Sequence, residues 1–419
     1  MASFLFFVCV IVSNNFVSVK WSSFRTFIVG KNTVMRPLGE VVFTPFEVSH
    51  TDKDLTDLAK KLRSLPGETR VVMEATGSYH LPIAWMLHSA GLYISVVNAV
   101  LVHDYGNNSL RRAKTDKKDA LKLANYALTH WLELPRFAPE EETRLLLKAC
   151  YRQYQHYSKV HTVLNNNLVS MTDITFPNVN QLFSSAPKAD GNQKWVDFVE
   201  FFWHRDCVCE LSEKAFTTKY RKWCAKHKYN FSEKKANEIY STAKSSVVVM
   251  PKTEAVKSMV EQAVSVLRAC SKALAALRQQ MLSLASSLPE YPVVMKMFGV
   301  GPTLGPQLMA EIGDVRRFHS KKALVAYAGI DAPPNDSGQV VGKHKKMSKV
   351  GSPALRRTLF LVMSVYLQRS PQDEPVFQFM DRKRAQGKPY KVYMMASANK
   401  FLRIYYATVK AFLNDLNQT

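Results

Sequence analysis

One stretch limits the architecture more than any other. From Lys257 to Leu288 the chain reads KSMVEQAVSVLRACSKALAALRQQMLSLASSL, with apolar residues recurring at three and four. That is helical spacing, sustained long enough for a coiled-coil arm or one half of a helical hairpin. A second, more polar helical stretch runs from about Thr143 to Leu168. Between the two lies an aromatic-rich region, Trp195 to Tyr240, whose Trp and Phe spacing predicts the core of a small helical subdomain. With 419 residues, the chain has length enough for two or three domains besides.

The first third reads differently. Glu40 to Val48 has strand-like content broken by Pro45, and Arg70 to Glu74 (RVVME) is a short apolar strand that stops at an acid. Asp54 to Leu65 places Leu55, Leu58, Leu62 and Leu65 at helical spacing before Pro66-Gly67 ends it. Leu81 to Ala90 is helical, and Leu92 to Val97 (LYISVV) is another strand. Strand, helix, strand predicts a βαβ unit and a partly parallel sheet. The last third is punctuated by glycine, then strongly basic, then helical.

Lys and Arg number 57 against 34 Asp and Glu, a formal net charge of +23, while apolar residues make up 47%. The excess charge therefore sits on a foldable chain and favours a polyanionic partner, nucleic acid before an anionic membrane surface. A membrane span is not expected: the longest apolar run, Phe4 to Val12, falls short of the roughly 20 residues a bilayer needs. That run resembles the core of a secretory signal, but neither a preceding Lys or Arg nor a clear cleavage site accompanies it. Six cysteines in so large a chain predict no disulfide framework. The expected location is the cytoplasm, in association with the nucleoid.

Three carboxylates stand out. Glu74 ends its strand in VVMEATGSYH, and Asp116 and Asp119 lie three apart at the expected start of a helix in RRAKTDKKDALKLANYA. Residues at i and i+3 share a helix face, so both could meet Glu74 from the sheet and bind Mg²⁺ with hard oxygen ligands. Two such ions could stabilise a phosphoryl transfer. The plainer alternative makes Asp116 an N-cap and Asp119 a first-turn acid favoured by the helix dipole. Arg111, Arg112 and Lys114 beside them would hold phosphates.

Two further segments can act on phosphates. Met297 to Gly305 (MFGVGPTLG) is either a plain helix–helix turn or a glycine turn that aims backbone N–H groups at a phosphate. Downstream, Ser337 precedes Gly338 in a loop rich in Pro, Asn and Asp. It is followed by the basic residues Lys343, Lys345, Lys346, Lys349, Arg356 and Arg357. Such a serine could attack a phosphodiester, although most Ser-Gly pairs only make turns. The basic cluster reads as phosphate binding or as a solvated surface. Cys207, Cys209, Cys224 and His227 form C-x-C…C-x-x-H, open to reading as a zinc knuckle or as parts of the aromatic core. No G-x-x-x-x-G-K-[ST] loop occurs, which argues against an ATP motor.

In order and wording these motifs resemble the DEDD-type transposases of the insertion-sequence 110 group. The N-terminal likeness, from about Phe27 to Leu134, rests on EATGSYH and KTDKKDALKLANYA. The C-terminal likeness, from about Met297 to Phe360, rests on GVG, AEIGDVRRF, AYAGI, the SG turn and GSPALRRTLF. The resemblance implies an α/β RuvC-like (RNase H-type) N-terminal domain, a helical coiled-coil middle and a mostly helical C-terminal transposase domain. Laid on this chain, these run over 27–142, 143–290 and 291–419, after an atypical leader at 1–26. It further implies Mg²⁺ held by Glu74, Asp116 and Asp119 as the second, third and fourth acids of a quartet, with Ser337 as the nucleophile. Its implied partners are the DNA of the element ends and target, a guide RNA, and further copies of the chain in a dimer or tetramer.

The likeness fails at one place. The group's first acid belongs to an N-terminal strand of the form G-I-D-x-S-K, whereas here the region reads FIVGKNTVMRPLGEVV and Asp is absent before Asp52. Loss of one ligand in four would weaken metal binding, and Glu40 and Glu47 are the only nearby acids. The expected activity is therefore DNA transposition by cleavage and rejoining through a serine. The rivals are a decayed copy that still binds nucleic acid, and a metal-dependent junction nuclease that needs no serine.

Overall fold

A computed structural model describes the chain apart from residues 1–4, 13–14, 25–26, 36–40, 50, 66, 76–79, 106–115, 333–335, 338–339, 342–346, 417 and 419. The chain divides into two compact units, Met1–Pro139 and Glu140–Thr419.

The first unit is built on a six-stranded sheet. Its strands are β1 (Leu5–Val12), β2 (Asn15–Phe24), β3 (Phe27–Met35), β4 (Val41–Ser49), β5 (Thr69–Glu74) and β6 (Tyr93–Val97), in the order β4-β3-β2-β1-β5-β6. β1 to β4 form an antiparallel meander, β1 pairs antiparallel to β5, and β5 pairs parallel to β6. Helices α1 (Asp52–Arg63), α2 (His80–Ser89), α3 (Ala99–Tyr105) and α4 (Asp116–Thr129) complete the unit. α1 begins where the Thr51 hydroxyl accepts from the Asp54 amide at 3.1 Å, and its leucine stripe is buried as the spacing predicts.

Alternation along β5 divides the core. Val71 and Met73 pack with Leu55, Leu58 and Leu62 of α1 and Ile83 and Leu87 of α2. Val72, pointing to the opposite face, packs with Leu123, Ala124 and Ala127 of α4. The meander corrects the sequence reading at Pro45, which does not break β4. The register steps from Asn32–Phe46 to Val34–Phe43, so Thr44 and Pro45 form a bulge on an edge strand, where a missing N–H is tolerated.

Among its described residues the second unit is helical except for one two-stranded ribbon, β7 (Asp336–Ser337) with β8 (Val340–Val341). Its frame is a pair of long helices, α5 (Glu142–Thr175) and α10 (Glu254–Ser286), each about 50 Å at 1.5 Å per residue. They pack along each other, so the Lys257–Leu288 stretch is one half of a helical hairpin. Rungs across it include His161 Nε2 to Ser271 Oγ at 3.1 Å and Cys270 Sγ to the Tyr157 carbonyl at 3.6 Å.

Between them the chain forms α6 (Lys194–Phe201), α7 (Asp206–Cys209), α8 (Glu213–Lys226) and α9 (Glu233–Ser245). These close over an aromatic core of Phe176, Phe198, Phe202, Phe216, Tyr220 and Trp223, to which Leu168 of α5 and Val260, Val264 and Leu267 of α10 contribute. Arg268 fastens this subdomain to α10, its guanidinium donating to Glu200 at 2.7 Å and to Asp197 at 3.0 Å. That bond holds the Glu200 carboxyl below the usual carboxylate range.

At the other end, the hairpin's foot enters a core shared with α11 (Tyr291–Met295), α12 (Leu304–Ile312), α13 (Lys321–Ala328), α14 (Pro353–Arg369), α15 (Pro375–Ala385) and α16 (Tyr390–Leu416). A buried ion pair locks that foot. Arg144 in α5 donates to both carboxylate oxygens of Glu290, just past α10, with exposures of 5% and 1%. Breaking a buried pair strands a charge and costs about 3–5 kcal/mol, whereas an apolar replacement of both partners is often close to neutral. Glu290→Leu is therefore expected to destabilise the unit by about 3–5 kcal/mol, and Arg144→Met/Glu290→Leu to recover most of it. Urea denaturation followed by circular dichroism measures both, and equal losses in the single and double variants would contradict the lock.

Candidate functional site

Glu74 is the last residue of β5 and half-buried. It follows Val72 by two, so it faces the side of the sheet covered by α4. Asp116 is the first residue of α4 and Asp119 lies one turn on, three residues apart and on one helical face. The other end of α4 leads to the start of β5 and β6, where Tyr93 donates to the Leu134 carbonyl at 2.7 Å and Arg70 stacks on the Trp131 ring at 4.1 Å. α4 thus crosses the same sheet face that Glu74 occupies. As a donor set, three carboxylates at a strand end and a helix start suit a hard divalent cation. Among the described residues, no group of three or more His, Cys, Asp or Glu is placed to hold a metal.

The strand beside β5 carries no acid. β1 pairs with it through Val8 opposite Met73 and Cys9 opposite Val72. Glu47 sits on β4, an edge strand that does not pair with β5. Glu40 lies outside the described residues, as do Arg111, Arg112 and Lys114.

In the second unit Ser337 closes β7, pairing with Val340 of β8. This ribbon tips a loop that is pinned at its base. Ser348 donates from Oγ to Asp331 Oδ1 at 2.5 Å and from its amide to the Asp331 carbonyl at 2.9 Å. Next outward, the Lys349 amide reaches the Gly329 carbonyl at 3.1 Å and the Ser352 amide the Tyr327 carbonyl at 2.8 Å. Gly329, at φ +63°, allows this closure: a Cβ there would lie 2.6 Å from the Val350 carbonyl oxygen. The sequence reading missed Asp331 and Ser348, because a pin of this kind shows only when the two ends of a loop are seen together. Lys343, Lys345 and Lys346 lie outside the described residues, and Lys349 is exposed at φ +56°.

The motif GSPALRR turns out to be largely architectural. Ser352 caps α14, accepting from the Leu355 amide at 3.1 Å while donating to Glu311 at 2.5 Å. Glu311, from AEIGDVRRF, is fully buried and paired with Arg152 of α5 at 3.0 Å. Arg356 donates to the Ala328 carbonyl at the end of α13 at 3.0 Å. Arg357, the next residue, is exposed, and an ion-pair partner for it does not occur among the described residues. The GVG segment forms a turn between α11 and α12, with Gly299 at φ +76° against Tyr366.

The zinc reading fails. Cys207, Cys209, Cys224 and His227 do not gather into a metal-holding group. Cys224 is buried in the aromatic core, with Cys207 and Cys209 packed against it, and His227 stacks on Trp223 at 4.9 Å. Burial raises the thiol pKa of all three cysteines, the opposite of a thiolate ligand's needs.

Two family models match this chain: one for DEDD-type transposases over residues 30–177, and one described as "Transposase IS116/IS110/IS902 family" over 291–378. Together they cover more than half of it. The chain belongs to the insertion-sequence 110 family of transposases. This is a family of enzymes that cleave and rejoin DNA, and so of DNA-binding proteins. The chain is 22% identical over 346 residues to the pilin gene-inverting protein of Moraxella bovis, covering 81% of this chain and 80% of that one. The counterpart from Moraxella lacunata is 23% identical over the same shares. A 42 kDa protein of insertion element IS900 from Mycobacterium paratuberculosis is 29% identical over 119 residues, 28% of this chain and 29% of its own. Within this transposase, no helix among the described residues is long and apolar enough to cross a membrane.

The two motif serines are expected to behave oppositely on folding. Ser352→Ala removes a helix cap and a bond to a buried carboxylate, and should lower stability by about 2 kcal/mol. Ser337→Ala, in a loop ribbon, should stay within about 0.5 kcal/mol of wild type. Thermal unfolding of the two variants side by side checks this.

Proposed function

We propose that this chain is a transposase that moves its own insertion sequence, cutting and rejoining DNA through Ser337 with Mg²⁺ held by Glu74, Asp116 and Asp119 in a RuvC-like domain. The observation that carries the reading is the position of these residues in a chain of this family. The acids stand at a strand end and at the start of the helix covering the same sheet face. The serine stands at the tip of a loop with a fixed base. The ion, when bound, would supply positive charge against the phosphate oxygens of the scissile bond. Arg111, Arg112, Lys114, Lys343, Lys345, Lys346 and Lys349 would hold the flanking backbone. A guide RNA from the element and a dimer or tetramer of the chain belong to the same proposal.

In the chemical step, Ser337 Oγ bonds to phosphorus and the bond from phosphorus to the departing sugar oxygen breaks. The serine's proton balances the one the departing oxygen takes up as a hydroxyl. Attack by a second strand's hydroxyl on the phosphoserine ester reverses the exchange, so the bond energy is conserved and ATP is not needed.

A second reading is favoured by one specific observation, the acid-free β1 beside β5. In that reading the chain is a decayed copy that binds nucleic acid without cutting it. Incubation with DNA carrying the element's ends, followed by denaturing electrophoresis, separates the two. A covalent protein–DNA adduct that forms with wild type and disappears in Ser337→Ala is the expected result. Cleavage without an adduct would instead indicate a metal-dependent nuclease. Salt-sensitive binding with neither cleavage nor adduct would leave the decayed copy.

A further inference from the structure

A cavity of about 540 Å³ opens beside the α5–α10 hairpin. Its walls come from four places: Ser158, His161 and Thr162 on α5, Ser271 and Arg278 on α10, a segment before α6 that contributes Lys188, Ala189 and Gly191 with their neighbours Ala186, Pro187 and Gln193 and from which Asp190 points elsewhere into solvent, and Arg357 at the start of α14. Gly191 seats that segment on the hairpin. It lies at φ +84°, and a Cβ there would fall 2.6 Å from the Ser271 carbonyl oxygen. Among the described residues the lining contains neither Asp nor Glu, while Lys188, Arg278 and Arg357 converge on it from three elements.

The three cations are not equally engaged. The Lys188 ammonium donates to the His227 carbonyl at 3.0 Å, rests on the Tyr229 ring at 4.0 Å and is 3.9 Å from Asp197. Arg278 has only a 3.5 Å bond to the Tyr154 hydroxyl, and neither arginine forms an ion pair among the described residues. Arg357 also lines a smaller cavity of about 120 Å³, which it shares with Thr303 and Leu304 at the end of the glycine turn. His161 has its ring nitrogen bonded to Ser271, and burial lowers its pKa. Unpaired guanidinium groups around an acid-free, hydroxyl-lined hollow are what a phosphodiester needs: charge, donors in a fork, and no competing carboxylate.

We infer that this cavity is a seat for a backbone phosphate of a nucleic-acid strand, gripped by Arg278 and Arg357, with the strand continuing past Arg357 toward the glycine turn. The inference rests on the transposase reading, and adds a binding site on the arm that the acids and Ser337 do not form. DNA and RNA present the same phosphate chemistry, so the test carries both.

The full chain is titrated by fluorescence anisotropy with labelled duplex DNA, single-stranded DNA and RNA of one sequence at stepped salt concentrations. Arg278→Ala removes an exposed side chain, and Ala189→Glu places an acid at an exposed position of the cavity wall. For the true source, Arg278→Ala should weaken binding about five-fold near 0.1 M salt and reduce the slope of log K against log salt by about 0.9 for duplex or 0.7 for a single strand. Ala189→Glu should weaken the same arm by a similar factor. The arm that responds, DNA or RNA, identifies the source. Unchanged affinity and slope in both variants, with wild type still binding, would overturn the cavity and leave the transposase reading standing. Absence of salt-sensitive binding by wild type would overturn both.

Discussion

Arg144 and Glu290 meet in a core that excludes water, 146 residues apart along the chain. Everything between them is carried outward on the two long helices they join. An unpaired charge at either position would be far more expensive than the pair, so the foot of α5 and the foot of α10 have one mutual arrangement. From that foot the hairpin runs to an aromatic core that neither helix could bury alone. Leu168 comes from α5, Val260, Val264 and Leu267 from α10, and the rings from the insertion between them. The hairpin is thus closed at both ends, by charge at the foot and by aromatic packing at the tip. The cavity beside it is a consequence, since the Ala186–Gln193 segment has to cross the hairpin on its way into α6.

A second buried carboxylate organises the C-terminal motifs. Glu311 receives Arg152 from the hairpin and Ser352 from the start of α14. It therefore ties three elements that the chain visits in separate passes. The turn that leads into α14 is the same one that closes the loop bearing Ser337, through the Ser352 amide on Tyr327 and the Ser348–Asp331 pin. The base of that loop is therefore fixed by bonds from both of its ends.

Periodicity carried the local elements well. The leucines of α1, the apolar strands β5 and β6, and the two long helices all lie close to where spacing places them. Long-range pairing was not legible in the same way. α5 and α10 each bury an apolar stripe, but a stripe does not name its partner. Arg144, Glu290 and Glu311 look like surface charges until the fold buries them. The zinc reading failed for a related reason: C-x-C…C-x-x-H is a spacing, and the surrounding Trp and Phe residues had already claimed Cys224 for the core. The sequence sets residues 1–26 apart as an atypical leader; in the fold residues 5–12 and 15–24 form β1 and β2, with β1, which carries no acid, directly beside β5.

Arg356 and Arg357 show how far a motif can be resolved by helix geometry alone. Neighbours in an α-helix point about 100° apart, so two adjacent arginines at the start of α14 leave the helix in different directions. Arg356 turns back over the last turn of α13 and satisfies the Ala328 carbonyl, which its chain end would otherwise leave without a partner. Arg357 points toward the hairpin and lines both cavities there. In sequence the two are one basic dipeptide. In the fold Arg356 is bonded to the Ala328 carbonyl, while Arg357 lines the two cavities beside the hairpin. The salt dependence of nucleic-acid binding counts released ions rather than lysines and arginines, and is the property in which any difference between the two would be expressed.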